Sequence, residues 1–333
     1  MLIWGMDKDI KGFPKTLIEV VKYFADPDVA LHFMKGIRWP DGVVRCPRCH
    51  HKKVSFISTR RIWECKDCKR QFSVKIGTIF EDSPIGLDKW LCAIWLLSNA
   101  KNGISSYELH RSLGVTQKTG WFMLQRIRLA MQDGSFVKFK GRVEADETYI
   151  GAKARYMHKD RRTAKGNAAF AKTPIQGVLE RTTEGKPSRV KLKVLKTTRK
   201  TELQSMVREI VEKGSEVMTD AWRSYIGLDD TYVHQIVDHL EAYAIGHVHT
   251  NGLENFWSLF KRAIKGTYVN VEPFHLFRYC DEQAFRFNER KDTDQGRFIK
   301  AVTGVVGKGL RYAKLIAAEG GDGIHPTETW QTT

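Results

Sequence analysis

The stretch from Cys46-Pro47-Arg48-Cys49 to Cys65-Lys66-Asp67-Cys68 decides the fold of the first part of the chain. Fifteen residues separate these two Cys-x-x-Cys pairs, a spacing typical of zinc sites. Four thiolates supply a closed tetrahedral ligand set for Zn2+. Apolar and polar residues alternate between residues 52 and 63, as in short strands. We therefore predict a zinc ribbon over residues 40–76, in which Cys46, Cys49, Cys65 and Cys68 bind one structural Zn2+.

The charge balance indicates the class of partner. The 333 residues include 55 lysines and arginines against 38 acidic residues, a formal net charge of +17. Such an excess favours a polyanion, and the predicted ribbon makes nucleic acid the first candidate. No apolar run approaches the roughly 20 residues that cross a bilayer, and Asp7, Lys8 and Asp9 interrupt any signal-peptide pattern. We expect a cytoplasmic, nucleoid-associated protein with no membrane partner.

The hydrophobic pattern divides the chain into parts of different character. Between residues 141 and 290 it predicts three strands, a helix, a short strand and further helices, the order of a ribonuclease H-like core. The predicted fold class is therefore α/β, with the ribbon and a helical region ahead of the core. The predicted domains are an N-terminal helical segment (1–39), the zinc ribbon (40–76), a helix-turn-helix-like region (87–132), the α/β domain (141–290) and a C-terminal tail (291–333).

The region 87–132 carries the signals of two helices joined by a tight turn. Ser105-Ser106-Tyr107-Glu108 matches a capping box, Gly114 suits the turn, and Thr116 suits the cap of a second helix. A helix-turn-helix protein reads DNA with its second helix. We expect that helix to present DNA-binding residues, namely Lys118, Arg126 and Arg128. A helical bundle without DNA contacts is the competing interpretation.

Three acidic residues stand in unusual settings. Asp146 interrupts a predicted strand, Asp220 ends a short apolar strand, and Glu254 opens a helix. Each has an ordinary interpretation as an edge charge, a helix cap or a first-turn residue. Their joint occurrence favours one site, because Mg2+ prefers carboxylate oxygens and two such ions about 3.5–4 Å apart can promote phosphodiester attack.

Longer motifs recur here in the order of one known family. They are Arg38–Gly42, Ala145–Gly151, Thr219–Tyr225, His249–Arg262, Gly266–Tyr268 and Phe285–Arg290. With these motifs the chain resembles the bacterial insertion-sequence transposases of the DDE type that have an N-terminal zinc ribbon and a ribonuclease H-like catalytic domain.

The resemblance implies roles for particular residues. Asp146, Asp220 and Glu254 become the catalytic triad that binds two Mg2+. Some relatives use asparagine as the third ligand, so Asn251, one turn ahead of Glu254, is the alternative. Glu254 is favoured because a charged oxygen binds Mg2+ better. Lys261 is expected to act beside the catalytic carboxylates, near the DNA end.

Further basic residues are expected to contact DNA. Arg262 lies in the same motif as Lys261, and His249 precedes the helix, where it would donate to the scissile phosphate or cap the helix. The loop from residue 153 to residue 172 is rich in positive charge and includes Lys159, Arg161 and Arg162. We expect this loop to bind the phosphate backbone independently of sequence.

The implied function is DNA transposition. The protein would bind terminal inverted repeats, nick the transposon ends by two-metal hydrolysis and join the 3′-hydroxyl ends to target DNA, as a homodimer or higher oligomer. A non-catalytic zinc-ribbon regulator or an inactive domesticated transposase is the alternative, and a nuclease without strand transfer is a third. A regulator would not need the three carboxylates together.

Overall fold

The chain forms two compact units. The computed structural model describes residues 12–132, 134, 137–151, 172–220, 223–237 and 249–316. The first unit contains residues up to 132 together with the segment that begins at Asp292, and the second contains residues 133–291. In the described ranges no helix is both long enough and apolar enough to cross a membrane.

The helices and strands follow one another in a simple order. They are α1 (Leu17–Phe24), α2 (Pro27–Arg38), β1 (Val54–Ile57), β2 (Ile62–Cys65), β3 (Gln71–Phe72), α3 (Leu87–Asn99), α4 (Ser106–Leu113), α5 (Gln117–Ala130), β4 (Arg142–Ile150), β5 (Thr173–Glu180), β6 (Arg189–Val194), α6 (Lys200–Ile210), β7 (Glu216–Asp220), β8 (Val233–Val237), α7 (Asn251–Ala263), α8 (Leu276–Asn288), α9 (Asp294–Thr303) and α10 (Tyr312–Leu315).

The zinc ribbon is present as a three-stranded antiparallel sheet in the order β1-β2-β3. Sγ of Cys46 lies 3.7 Å from Sγ of Cys68, and Sγ of Cys49 lies 3.5 Å from Sγ of Cys65. All four sulfur atoms lie within 4.8 Å of one another. Tetrahedral Zn–S bonds of about 2.3 Å would put the sulfur atoms about 3.8 Å apart. The cluster therefore fits one zinc ion.

The core of the first unit is aromatic. Phe298 of α9 is fully buried, and its ring centroid lies 6.1 Å from that of Phe24, 6.0 Å from that of Phe33 and 5.4 Å from that of Trp95. The prediction of a C-terminal tail from residue 291 is therefore wrong for α9. A helix at residues 294–303 completes the core of the N-terminal helices, because its apolar face is buried against theirs.

The helix-turn-helix pattern has the predicted local structure. The capping box at Ser105 and Glu108 is present, Gly114 adopts the left-handed conformation, and Thr116 caps α5. Helices α4 and α5 approach closely at Gly120, where a Cβ atom would lie 3.1 Å from the backbone oxygen of Ser106. Beyond its first turn, however, α5 is almost wholly buried.

The burial of α5 overturns part of the predicted DNA-binding set. Arg126 and Arg128 are both buried, so the prediction that they contact DNA is wrong. The Arg126 guanidinium donates to the backbone oxygens of Ile79, Glu81 and Leu310, so it serves as an internal brace. Lys118, in the first turn, is exposed as predicted.

The second unit has a mixed α/β fold around a five-stranded sheet in the order β6-β5-β4-β7-β8. Strand β4 pairs antiparallel with β5 and parallel with β7. The apolar residues of α6 form one core with one face of the sheet, and those of α7 and α8 form a second core with the other face. Because side chains alternate along a strand, Val143 and Ala145 join the α6 core, while the even-numbered residues of β4 face α7.

We predict that Cys68→Ser abolishes zinc binding and unfolds the ribbon. Binding of a structural zinc ion contributes about 10–16 kcal/mol in zinc-finger peptides, so the ribbon depends on the intact ligand set. Zinc content per chain, measured by mass spectrometry, should fall to near zero. Cys92→Ala is the matched control, because Cys92 is a buried cysteine outside the cluster. Full zinc content in Cys68→Ser would contradict the assignment.

Candidate functional site

The site is built around Asp146 in the middle of β4. Its partner across the β4–β5 ladder is Gly177. A Cβ atom at Gly177 would lie 2.8 Å from the ring of Trp257 and 2.9 Å from the side chain of Leu253. The glycine therefore makes room for the buried indole of Trp257, whose Nε1 donates a hydrogen bond of 2.9 Å to Oδ2 of Asp146.

The pKa of the Asp146 carboxyl is raised to about 6, mainly by burial. The hydrogen bond from Trp257 lowers this pKa, and the negative charges of Asp220 and Glu254 raise it. Three carboxylates from β4, β7 and the first turn of α7 thus lie within electrostatic range of one another. A cation bound among them would offset both the burial and the repulsion.

The carboxylates form a looser group than the cysteines. In the residues that the structure describes, only the cysteine cluster has three or more ligand atoms all within 4.8 Å of one another. Asp146 and Asp220 are half-buried and Glu254 is exposed. The oxygens therefore face a partly open site, as hard cations that keep several waters require.

A buried ion pair fixes the start of the helix that carries Glu254. Glu144, two residues before Asp146 on the same face of β4, is 1% exposed. Its Oε1 accepts from Nε of Arg181 at 2.6 Å, and its Oε2 accepts from the backbone N–H of Leu253 at 2.9 Å. Thr250, the N-cap residue, makes no side-chain capping bond. A side chain of the sheet thus caps helix α7, and Glu144 connects β4, the residue that follows β5 and the first turn of α7.

His249 belongs to this network, and it does not cap the helix. Nη2 of Arg181 donates to Nδ1 of His249 at 2.8 Å and to the backbone oxygen of His249 at 2.5 Å. A guanidinium can only donate, so Nδ1 accepts and the proton of the neutral ring lies on Nε2. The imidazole is 28% exposed. Its Nε2–H is therefore a donor available to a bound group.

A second acidic residue lies on the opposite face of β4. Glu147 accepts a hydrogen bond of 2.7 Å from the buried hydroxyl of Tyr225. Burial raises the pKa of Glu147 to about 7, the bond from Tyr225 lowers it, and the charges of Asp220 and Asp146 raise it further. Two adjacent carboxyl groups on β4 therefore both depend on the charge at Asp220.

The other predicted site residues have varied surroundings. Asn251 and Arg262 are exposed on α7, and Lys261 is half-buried. Lys159, Arg161 and Arg162 lie outside the described residues.

The sequence reasoning missed the supporting residues. Trp257 lies in the motif His249–Arg262 and Glu144 directly precedes the motif Ala145–Gly151, but their contacts join segments more than 100 positions apart. One signal was available for Glu144: it shares the strand face of Asp146 and is a charge inside an apolar strand, which must be paired if it is buried.

Comparisons with known proteins agree with this arrangement. Residues 138–288 match the ISXO2-like transposase domain, and residues 26–71 match a transposase zinc-ribbon domain. The chain is 29% identical over 256 residues to a Halobacterium salinarum protein described as an uncharacterized protein in transposable element ISH50, with 73% of this chain and 84% of that protein covered. It is 32% identical over 99 residues to an uncharacterized transposase-like protein of Haemophilus influenzae, with 29% of this chain and 80% of that protein covered.

We predict that Trp257→Phe moves the pH dependence of divalent-metal binding to higher pH. The indole N–H lowers the pKa of Asp146, so its loss should raise that pKa above about 6. Metal binding needs the ionised carboxylate and is lost as pH falls through this pKa. Calorimetric titration with Mn2+ between acidic and neutral pH measures the midpoint. An unchanged midpoint in Trp257→Phe would count against the assigned role.

We predict that Glu144→Ala destabilises the second unit by about 3–5 kcal/mol, because the largely buried charge of Arg181 then loses its carboxylate. Denaturant unfolding followed by circular dichroism measures the loss. The double variant Glu144→Leu/Arg181→Met should recover most of the stability, since it removes both charges. Glu184→Ala changes an exposed carboxylate of the same unit and is the control. Equal stabilities for Glu144→Ala and Glu184→Ala would refute the bracing role.

Proposed function

The chain belongs to the ISXO2-like family of insertion-sequence transposases, and from this membership we propose that it is an active DNA transposase. It binds the terminal inverted repeats of its element, nicks the transposon ends and joins the 3′-hydroxyl ends to target DNA. The observation that carries the proposal is the electrostatic coupling of Asp146, Asp220 and Glu254, since a buried carboxyl beside two others is a costly arrangement without a cation.

The carboxylates Asp146, Asp220 and Glu254 would hold two Mg2+. When bound, the metal pair would activate the attacking oxygen and stabilise the leaving oxygen of a phosphodiester. Hydrolysis forms a bond between phosphorus and the water oxygen and breaks the P–O3′ bond, which leaves a 3′-hydroxyl. In the second step that hydroxyl bonds to a phosphorus of the target strand, and the target's own P–O3′ bond breaks, so that a target 3′-hydroxyl leaves. Glu254 remains the preferred third ligand over Asn251, because its charge already acts on Asp146.

The protein groups around the carboxylates have separate tasks. Trp257 orients Asp146 and keeps its pKa from rising further. Glu144 holds the first turn of α7, and with it Glu254, against the sheet. The Nε2–H of the partly exposed His249 would donate to a phosphate oxygen, because a hydrogen-bond donor at that position stabilises the negative charge that develops there.

The fold of the second unit supports a ribonuclease H-like core. Three antiparallel strands, a crossover helix and two further parallel strands give the sheet order β6-β5-β4-β7-β8. In this order β4 and β7 are neighbours, so Asp146 and Asp220 arise from adjacent strands. Only a long crossover can join parallel strands such as β4 and β7, which explains why the two carboxylates are distant in sequence.

DNA contacts are proposed for basic residues that are exposed or half-buried. The first turn of α5 carries Lys118, and a recognition helix uses its N-terminal residues on base edges. Lys261 and Arg262, near the end of α7, would contact the transposon end. Joining two ends to one target requires both ends in one complex, so we propose a dimer or higher oligomer on DNA.

The test is cleavage of labelled DNA that carries the ends of the element, in the presence of Mg2+. The full chain should nick the ends, and Asp146→Asn should bind them equally but nick at least about 100-fold more slowly, because a metal ligand is lost. Asp229→Asn, a substitution of an exposed aspartate in the same unit, should behave as the wild type. Transfer to a plasmid target separates a transposase from a simple nuclease. Binding without cleavage by every variant would indicate a regulator or an inactive relic.

A further inference from the structure

A cleft of about 290 Å³ lies beside the end of β4 and the end of α7. Lys172, Lys261 and Lys265 line it together with Tyr149 and the segment from Val269 to Val271. Tyr149 is 42% exposed. In the described part of the chain no carboxylate lines this cleft. Its charge and its aromatic wall are complementary to a group that combines a phosphate with a flat ring.

The rim of the cleft is strained. After α7 the backbone widens into a π-helix from Ile264 to Tyr268, a feature found frequently at functional sites. Val269 follows with φ +62° and ψ −60°, and the backbone N–H of Asn270 donates to the oxygen of Tyr268 at 2.6 Å. This is a γ-turn of the rare, positive-φ form. A β-branched residue in this conformation is a clear outlier, and Val269 is also 78% exposed.

Buried contacts hold this turn in place from behind. The hydroxyl of Tyr268 donates to Glu282 of α8, and Glu282 is paired with the buried Arg286. The rings of Tyr268 and Tyr279 meet edge to face, with their centroids 4.7 Å apart. The contacts of Tyr268 with Glu282 and Tyr279 thus hold the strained backbone at Val269 in place. Such strain persists only where the surroundings enforce it, and it clusters at functional sites.

We propose that this cleft binds one unpaired nucleotide at a DNA end. The lysines hold its phosphate, the base stacks on the ring of Tyr149, and Val269 is the apolar wedge that separates this base from its neighbour. Wedges of this kind are apolar side chains that enter a base step and unstack it. The volume of about 290 Å³ lies close to the lower limit of small-molecule pockets, about 300 Å³, so the cleft is of a size for a single nucleotide. This inference rests on the proposed function, because it assumes that DNA is the substrate.

The experiment compares two labelled duplexes of the same sequence, one blunt and one with a short unpaired fork at its end, at a fixed salt concentration. The full chain should bind the forked DNA about tenfold more tightly, which corresponds to about 1.4 kcal/mol and lies in the range of stacking one base. Val269→Gly and Lys265→Ala should each reduce that preference to near one. Val137→Gly and Lys213→Ala remove an exposed valine and an exposed lysine elsewhere in the second unit and should keep it.

A second readout separates the wedge from a structural role. Glycine adopts positive φ freely, so Val269→Gly should keep or raise the melting temperature while the preference for the fork is lost. A lower melting temperature would make the valine structural and overturn the proposal, as would equal binding of the two duplexes by the wild type. Preference for the fork without metal-dependent cleavage would leave this inference standing and remove the catalytic proposal, whereas cleavage without that preference would do the reverse.

Discussion

The carboxylate of Glu144 is the constraint on which the α/β unit depends. It is inaccessible to solvent, so its charge must be fully satisfied inside the protein. Arg181, directly after β5, and the N-terminus of α7 together form hydrogen bonds with this charge. The same bonds fix the distance between the sheet and the first turn of α7. The position of Glu254 relative to Asp146 is therefore set by a buried carboxylate beside them.

The register of β4 and β5 extends this constraint along the strand. Gly177 lies opposite Asp146 and leaves the space that the indole of Trp257 fills. A shift of one residue would bring a side chain into that space and turn Asp146 to the α6 core. The positions of Gly177, Trp257 and Asp146 therefore depend on one another, because Trp257 reaches Asp146 only through the space that Gly177 leaves.

The sequence predicts the parts of this molecule that depend on local patterns. The cysteine spacing identifies the ribbon, the capping box marks the start of α4, and Asp146, Asp220 and Glu254 stand out by their flanking residues. It fails where tertiary packing decides. Arg126 and Arg128 look like surface charges of a recognition helix, but three backbone carbonyls from distant loops draw the guanidinium of Arg126 inside. The apolar face of α9 likewise gives no local sign of the helices against which it packs.

The position of Phe298 has a consequence for how the chain is made. The aromatic core of the N-terminal helices stays incomplete until α9 has been synthesised, whereas the strands and helices of the α/β unit that the structure describes all precede Asp292. Domains generally fold as units during synthesis. The unit that contains the zinc ribbon therefore begins to emerge from the ribosome first, but its core is completed after that of the α/β unit. A nascent chain acquires its carboxylate site before it has a finished zinc-ribbon unit, and only a chain translated past α9 possesses both.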